Sequence, residues 1–296
     1  MQPSPNSGPI RAPVTVADAI RQAAGGLAAV SDTARLDAEW LMAAALDVPR
    51  SSMLLTRMKD PAPQTFAAMI RRRMTGEPLA YVTGSQSFYG REFIVSPAVL
   101  IPRADSESVV EAALGLLPED ARILDCGTGS GALLLTLLAE RPDASGLGMD
   151  RSPDALAIAR CNAEALGVAG RAELIEADWT QAGWKAGFGR FDLVIANPPY
   201  VESTATLDDS VSRYEPHEAL FAGPDGMGDY RVLIPQLPSL LSPGGAAVVE
   251  IGWQQAESVG ALARECGADT QTFRDLAHRP RGLVLRFGVG KGAAKG

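Results

Sequence analysis

From residue 14 to about residue 75 the chain sets Ala, Val, Leu and Met at helical spacing between charged positions, as in VADAIRQAAGGL and DTARLDAEWLMAAAL. That period predicts amphipathic helices packed on one another. Four or so helices fit, punctuated by Pro49 and Pro61, with Ser31 and Asp32 as N-cap candidates. The segment LAYVTGSQSFYGREFIVS then predicts a β-hairpin with Gly84 and Gly90 near its turns. Beyond about residue 105, short apolar runs alternate with helical stretches. Seven strands are predicted in ARILDCG, SGLGMD, AELIEAD, FDLVIAN, GAAVVEIG, DTQTFRDL and GLVLRF, and helices over 107–117, 130–141, 153–167, 228–241 and 254–266. This alternation predicts an α/β fold built on a doubly wound, mostly parallel sheet. The last two strands are joined by too few residues for a parallel crossover, so the last strand is expected to run antiparallel.

The expected organisation is a flexible tail over 1–13, a helical domain over 14–76, a β-hairpin linker over 77–104, an α/β catalytic domain over 105–288 and a second flexible tail over 289–296. No stretch approaches the length of apolar sequence a membrane helix needs, and the Pro- and Ser-rich start lacks the apolar region of a signal peptide. Cys126, Cys161 and Cys266 are odd in number and widely spaced, which predicts neither a disulfide framework nor a zinc site and points to a reducing, cytoplasmic setting. Two histidines exclude a multi-histidine metal centre, so no metal is expected.

Charge divides the chain. Residues 1–90 carry nine Lys and Arg against seven Asp and Glu, or +2, leaving −10 of the net −8 for the remainder. Duplex nucleic acid binding, which calls for a basic stripe, is therefore not expected. The one basic run, Arg71-Arg72-Arg73, reads as a solvated helix face.

Chemistry concentrates where strands end. The apolar run FDLVIA stops at Asn197-Pro198-Pro199-Tyr200. Two prolines have no N–H to continue a ladder, so the Asn197 amide and nearby carbonyls stand at the carboxyl edge of a parallel sheet, where ligands bind. An amide oxygen and a neighbouring carbonyl can accept both hydrogens of a planar NH₂ group, and Tyr200 offers a flat face to its carrier. A plain strand-terminating turn is the competing reading. After the first strand of the alternating region, Asp125-Cys126-Gly127-Thr128-Gly129-Ser130-Gly131 opens a helix. Its glycines permit a sharp turn and close backbone approach to a ligand, and a dinucleotide fingerprint is satisfied as well, with Ala132 at its third small position. Asp150 ends the next strand, where a carboxylate can accept both hydroxyls of a ribose; a helix N-cap is the alternative. Asp178 and Trp179 follow the third strand as acceptor and aromatic wall for an adenine, Trp179 being equally suited to core packing. A hydride-transfer enzyme needs an acid or base beside its substrate, and His217 and His278 both lie in loop-like sequence. The Asn-Pro-Pro-Tyr end of the fourth strand suits methyl transfer to nitrogen instead.

In their order, DCGTGSG, Asp150, ADW and NPPY make the chain resemble the class I S-adenosylmethionine-dependent methyltransferases. The segments RRRMTGEPLAYVTG, VLIPRADSE, YEPHEALFAGPDGMGDYR and VVEIGWQQ resemble the HemK-type protein-(glutamine-N5) methyltransferases of peptide chain release factors, over roughly residues 70–285. The resemblance implies the seven-stranded class I methyltransferase fold, S-adenosyl-L-methionine as cofactor, and a release factor as protein partner, methylated on the glutamine of its Gly-Gly-Gln motif. It implies that Gly127, Thr128, Gly129, Ser130, Gly131, Asp150, Asp178, Trp179 and Asn197 bind the cofactor. Asn197, Pro198, Pro199 and Tyr200 would hold the substrate, with Asn197, Pro198 and Tyr200 catalytic. Arg103 is added as a substrate-side residue that would orient the substrate or pair with a carboxylate such as Asp105 or Glu107. A ribosomal-protein glutamine methyltransferase or a nucleic-acid adenine-amine methyltransferase would use the same tetrapeptide. The chain departs from the family at Ala104-Asp105-Ser106-Glu107, where Pro-Glu-Thr-Glu is usual, at Cys126 in place of Leu, and at His278 in place of Gly.

Overall fold

The structure, a computed structural model, describes residues 14–288; both predicted tails lie outside these residues. Along the described chain run α1 (Val16–Leu27), α2 (Ala34–Leu46), α3 (Arg50–Thr56), α4 (Gln64–Met74) and α5 (Leu79–Thr83), then β1 (Ser85–Phe88), β2 (Arg91–Ile94) and α6 (Glu107–Leu114). They are followed by β3 (Arg122–Cys126), α7 (Ala132–Glu140), β4 (Ser145–Asp150), α8 (Pro153–Ala165), β5 (Ala172–Glu176), β6 (Phe191–Ala196) and α9 (Asp209–Tyr214). The last elements are α10 (Gly228–Leu233), β7 (Leu241–Glu250), α11 (Ala256–Glu265), β8 (Ala268–Arg274) and β9 (Pro280–Phe287). The chain divides into two compact units between Thr83 and Gly84.

The first unit is helical because its apolar residues fall on one face. Val16, Ile20, Ala23 and Leu27 of α1 are buried at helical spacing, and with Leu41, Met42, Met53, Phe66 and Val82 they form its core. Thr15 caps α1 by accepting from the Asp18 N–H, and Thr33 stands at the N-cap of α2 in place of the expected Ser31 or Asp32. The basic run is not simply solvated. Arg73 reaches 2.8 Å to the buried Asp37, and Arg72 donates to Glu77 at 2.5 Å and to the Tyr81 carbonyl at 2.9 Å. Residues 79–83, expected in the hairpin linker, form α5, whose first turn closes on the Pro78 carbonyl.

The second unit is a seven-stranded sheet in the order β5-β4-β3-β6-β7-β9-β8. All pairs from β5 to β7 are parallel, and β9 runs antiparallel to both neighbours. The sheet thus agrees with the doubly wound fold expected from alternation, including its reversed last strand. The long helix expected over 228–241 is instead α10 followed by a 3₁₀ segment, Ile234–Ser239, because Pro235 and Pro238 cannot donate to an α-helical ladder. β1 and β2 form a hairpin whose two-residue turn, Tyr89-Gly90, has φ of 49° and 70°, the left-handed geometry tight hairpins require. This hairpin is held firmly. The Tyr89 N–H donates to Glu107 at 2.7 Å, and the wholly buried Asn162 of α8 exchanges two hydrogen bonds with the Ile94 backbone, at 2.7 and 3.0 Å.

Gly282 shows how closely the outer strands approach. A Cβ there would meet the Phe273 ring at 2.2 Å and the Val249 carbonyl at 2.8 Å. Gly282→Ala is therefore expected to destabilise the sheet unit by about 1–3 kcal/mol, the usual cost of overpacking, read as a lower midpoint in urea unfolding. An unchanged midpoint would mean that β7, β8 and β9 part without cost.

Candidate active site

Register brings the site together. Cys126 pairs with Met149 on one side and Ala196 on the other, and Ala196 pairs with Val249. The next residues, Asp150 and Glu250 ending their strands and Gly127 and Asn197 just past theirs, therefore stand side by side at the carboxyl edge of the sheet, where open α/β sheets bind ligands. A cleft with about 1050 Å³ of open space lies there. It is lined by Gly127, Thr128, Gly129, Ser130, Asp150, Asp178, Trp179, Asn197, Pro199 and Arg103 among the residues predicted from sequence. Gly131, Pro198 and Tyr200 do not line it.

The glycine loop is shaped by its own hydrogen bonds. Gly127 and Thr128 both donate to the Met149 carbonyl at 2.9 Å, and Gly131 donates to the Thr128 carbonyl at 2.8 Å. Gly127, Gly129 and Gly131 all have positive φ, open to glycine at little cost. Gly127 has a second reason to lack a side chain, because a Cβ would lie 3.1 Å from the Trp179 ring. The indole thus rests against the glycine loop and forms a wall of the cleft. It is held by a 3.1 Å bond from its Nε1 to Asp229, and the Trp179 carbonyl accepts from Gln236 at 3.0 Å. Gly131 instead admits Leu135, which would stand 2.6 Å from a Cβ, so its task is to seat α7. Asn162 completes the loop by donating to the Ser130 carbonyl at 2.9 Å.

Asp150 is not the cap of α8; Ser152 is, accepting from the Ala155 N–H. The Asp150 oxygens each accept one backbone bond at 2.9 Å, Oδ2 from Gly129 and Oδ1 from Ser152. A carboxylate oxygen can accept more than one hydrogen bond, so both retain capacity toward the cleft. Burial raises the Asp150 pKa, opposed by these two bonds. Asp178 turns inward on its own loop, accepting from the Thr180 N–H and hydroxyl at 2.8 Å each. Burial pushes its carboxyl upward, but the Thr180 bonds and the Arg151 charge outweigh it and hold the pKa below the ordinary value.

Asn197 is half-buried and lines the cleft. Its side-chain amide has no hydrogen-bond partner among the described residues. Such a group, with two donors and an acceptor unused beside a cleft, is ready for a ligand. Tyr200 points elsewhere. Its hydroxyl lies 3.4 Å from Glu250 Oε1, its carbonyl accepts from Gln255 at 3.1 Å, and a Cβ on Gly226 would stand 2.3 Å from that carbonyl. The tetrapeptide is thus braced from behind by Gly226, Gln255 and Glu250, none of which was singled out as a site residue from sequence.

Arg103 lines the cleft but pairs with neither Asp105 nor Glu107. Its partner is Glu215, at 2.5 Å, whose other oxygen accepts from the Ile101 N–H at 3.2 Å. Asp105 is taken by Arg281 at 2.6 Å and Glu107 by Tyr89. His278 is exposed in the turn before β9 with φ of 61°, which explains a glycine preference there. Sequence reasoning also passed over Asp125, which lines the cleft from inside β3. One oxygen accepts from the Thr128 hydroxyl at 2.7 Å and the other is unpartnered among the described residues. Burial, assisted by the Asp150 charge, pushes its carboxyl up to about 7 against the Thr128 bond. A carboxylate interrupting the apolar run ILDC was the available signal.

The PrmC N-terminal domain family matches residues 18–84, and a methyltransferase domain family matches residues 117–277. A release factor glutamine methyltransferase of Geobacter sulfurreducens is 40% identical over 250 residues, covering 82% of this chain and 86% of that protein. The enzyme of the same name from Escherichia coli is 39% identical over 274 residues, covering 90% and 97%. Among solved structures, a methyltransferase from Pyrococcus furiosus superposes with a TM-score of 0.51 at 16% identity, over 76% of this chain and 99% of its own; at that identity the likeness speaks for the fold alone. With two relatives near 40% identity over most of both chains, and the order of motifs reproduced on one sheet edge, this chain belongs to the release factor glutamine methyltransferase family.

Proposed function

We propose that the chain transfers a methyl group from S-adenosyl-L-methionine to the side-chain nitrogen of the glutamine in the Gly-Gly-Gln motif of peptide chain release factors. The observation that carries this reading is the unpartnered Asn197 amide, standing in register with Asp150 and Gly127 at the wall of one cleft. The residues present fit the cofactor. Asp150 keeps acceptor capacity for two ribose hydroxyls, Trp179 offers a flat wall for an adenine, and Gly127 and Gly129, without Cβ atoms and at positive φ, let the backbone through Thr128 and Ser130 approach a ligand, while Gly131 seats α7 beneath the loop. Asp178, bound to its own loop, closes that side of the pocket. When bound, the cofactor supplies an electrophilic methyl group on a sulfonium.

The chain's residues then have the task of making a poor nucleophile react. A glutamine nitrogen has its lone pair delocalised into the carbonyl. In this reading Asn197 Oδ1 and the Pro198 carbonyl accept its two hydrogens and fix the plane of the amide, leaving the face of the nitrogen toward the methyl group. Pro199 shapes the wall behind it, Tyr200 braces the turn from outside the cleft against Glu250 and Gln255, and Arg103, paired with Glu215, lies at the substrate side. No strong base is needed beforehand, since the nitrogen becomes acidic once methylated. Positioning and the exclusion of water supply the acceleration, and orientation alone is worth on the order of 7–11 kcal/mol in favourable cases. The helical unit, with no predicted cofactor contact, is assigned to docking of the protein substrate, because a large factor needs contacts away from the reacting atom.

Asp150→Ala is expected to weaken S-adenosyl-L-methionine binding by about 1–3 kcal/mol, the cost of leaving buried polar groups unpaired, in calorimetric titration; unchanged affinity would remove Asp150 from the cofactor site. Asn197→Ala should lower kcat for a release factor by on the order of 100-fold while leaving cofactor affinity near that of the parent. Equal kcat in the two proteins would contradict the role given to the amide. Removing residues 1–83 should raise KM for a whole release factor with little change in cofactor affinity, and an unaltered KM in a folded truncated protein would end the docking assignment.

A further inference from the structure

Glu250 is one of the four residues that stand side by side at the carboxyl edge of the sheet, and methyl transfer as derived above gives it no task. It is the last residue of β7 and is 1% exposed. Its Oε1 lies 3.4 Å from the Tyr200 hydroxyl, and the buried Ser106 hydroxyl, from the turn before α6, favours the ionised form of the same carboxyl. Its Oε2 has no partner among the described residues. Among those residues no cation is bonded to it. Arg281 of β9 is nearest in charge, but its guanidinium is committed to Asp275 at 3.0 Å and Asp105 at 2.6 Å. Arg103 is committed to Glu215. A buried carboxyl with half its acceptor capacity unused costs stability that an uncharged side chain of the same shape would not. What it touches is the tyrosine of the Asn-Pro-Pro-Tyr turn.

We propose that Glu250 is a positioning residue for methyl transfer: in its ionised form it accepts a hydrogen bond from Tyr200 and thereby fixes the tyrosine and the turn that carries Asn197. This rests on the reading of Asn197 as the residue that holds the glutamine amide. The surroundings make its charge state sensitive to pH near neutrality. Burial raises its pKa to about 7, opposed by the Ser106 hydroxyl, the Arg281 charge and the Tyr200 bond, and reinforced by Asp105. Tyr230 of α10 also faces it, donating to the Glu250 main-chain carbonyl at 2.9 Å. The sign follows directly. Below the folded-state pKa the carboxyl is neutral and no longer a charged acceptor for the Tyr200 hydroxyl. Above it, that bond is strengthened, so turnover should rise with pH through this group's ionisation. The Ser106 hydroxyl in the Ala104-Asp105-Ser106-Glu107 departure acts on the same group by favouring its ionised form.

The test compares kcat for a release factor against pH in six proteins: the parent, Glu250→Gln, Ser106→Ala, Tyr200→Phe, Glu250→Gln combined with Tyr200→Phe, and Asn197→Ala, with S-adenosyl-L-methionine affinity measured in each. Glu250→Gln should lower kcat by about tenfold, a loss of orientation rather than of a reacting group, with cofactor affinity kept and the rising limb near neutrality abolished. Ser106→Ala should move that limb to higher pH, since it removes a hydroxyl that favours ionisation. Glu250→Gln combined with Tyr200→Phe should be no slower than the slower single variant, because both act through one contact. A Glu250→Gln protein with the parent's kcat and pH limb overturns the proposal. Should that protein not fold, a limb unmoved by Ser106→Ala overturns it instead. Asn197→Ala separates the two claims: full activity there overturns the reading of the tetrapeptide itself, whereas an inactive Asn197→Ala beside an unaffected Glu250→Gln overturns the positioning role alone.

Discussion

Parallel register across β4, β3, β6 and β7 is the constraint on which everything at the site depends. The pairs Cys126–Met149, Cys126–Ala196 and Ala196–Val249 set four strand ends on one line. Each strand then changes character at the next position, to Asp150, Gly127, Asn197 and Glu250. A slip of one residue in any of these pairings would carry one of the four out of line and turn its strand's side chains to the opposite face, exchanging the Leu124, Val194 and Val249 layer for the Ile123, Leu193 and Val248 layer. The fit of these two different apolar layers to their own faces therefore holds the register, and the register specifies the site. The hairpin is tied to the site by Asn162 of α8, which holds Ile94 and the Ser130 carbonyl together, so the glycine loop cannot relax independently of β2.

The site is also where the fold accepts unfavourable terms. Asp125 and Glu250 are buried carboxyls whose pKa values are both pushed up to about 7, and each has one oxygen without a partner among the described residues. Since their folded-state pKa lies above the ordinary carboxylate value, the folded state holds extra protons, and both groups favour folding more at acidic than at alkaline pH. The elements that offset this are plain: the apolar cluster on both faces of the sheet and the paired buried charges such as Arg281 with Asp275. Among the described residues a third buried unpartnered side-chain atom, Thr136 Oγ1, lies on α7, but both unpartnered carboxyl oxygens stand on one edge, which marks a place shaped for ligands rather than for stability.

Much of this was legible in the chain because it is written locally. Alternating apolar runs and helical stretches disclosed the sheet and its reversed last strand, and the glycine loop, Asp150 and Asn197 stand where strand ends predicted them. What escaped was written over distance. Arg103 meets Glu215, and Arg73 meets Asp37, partners that neither spacing nor composition singles out. Gly226 and Glu250 matter because folding sets them against Tyr200, from segments 26 and 50 residues further on. The helix expected over 228–241 failed for a reason visible in the chain: Pro235 and Pro238 were outweighed by apolar periodicity, and in the structure their missing N–H groups prevailed.

If the unpartnered Asn197 amide holds one glutamine for methylation, tandem mass spectrometry of a release factor incubated with this protein and S-adenosyl-L-methionine will find one added methylene unit on the side chain of the glutamine in the Gly-Gly-Gln peptide. Methylation of any other residue, or of no residue by a protein that still binds the cofactor, would rule that role out.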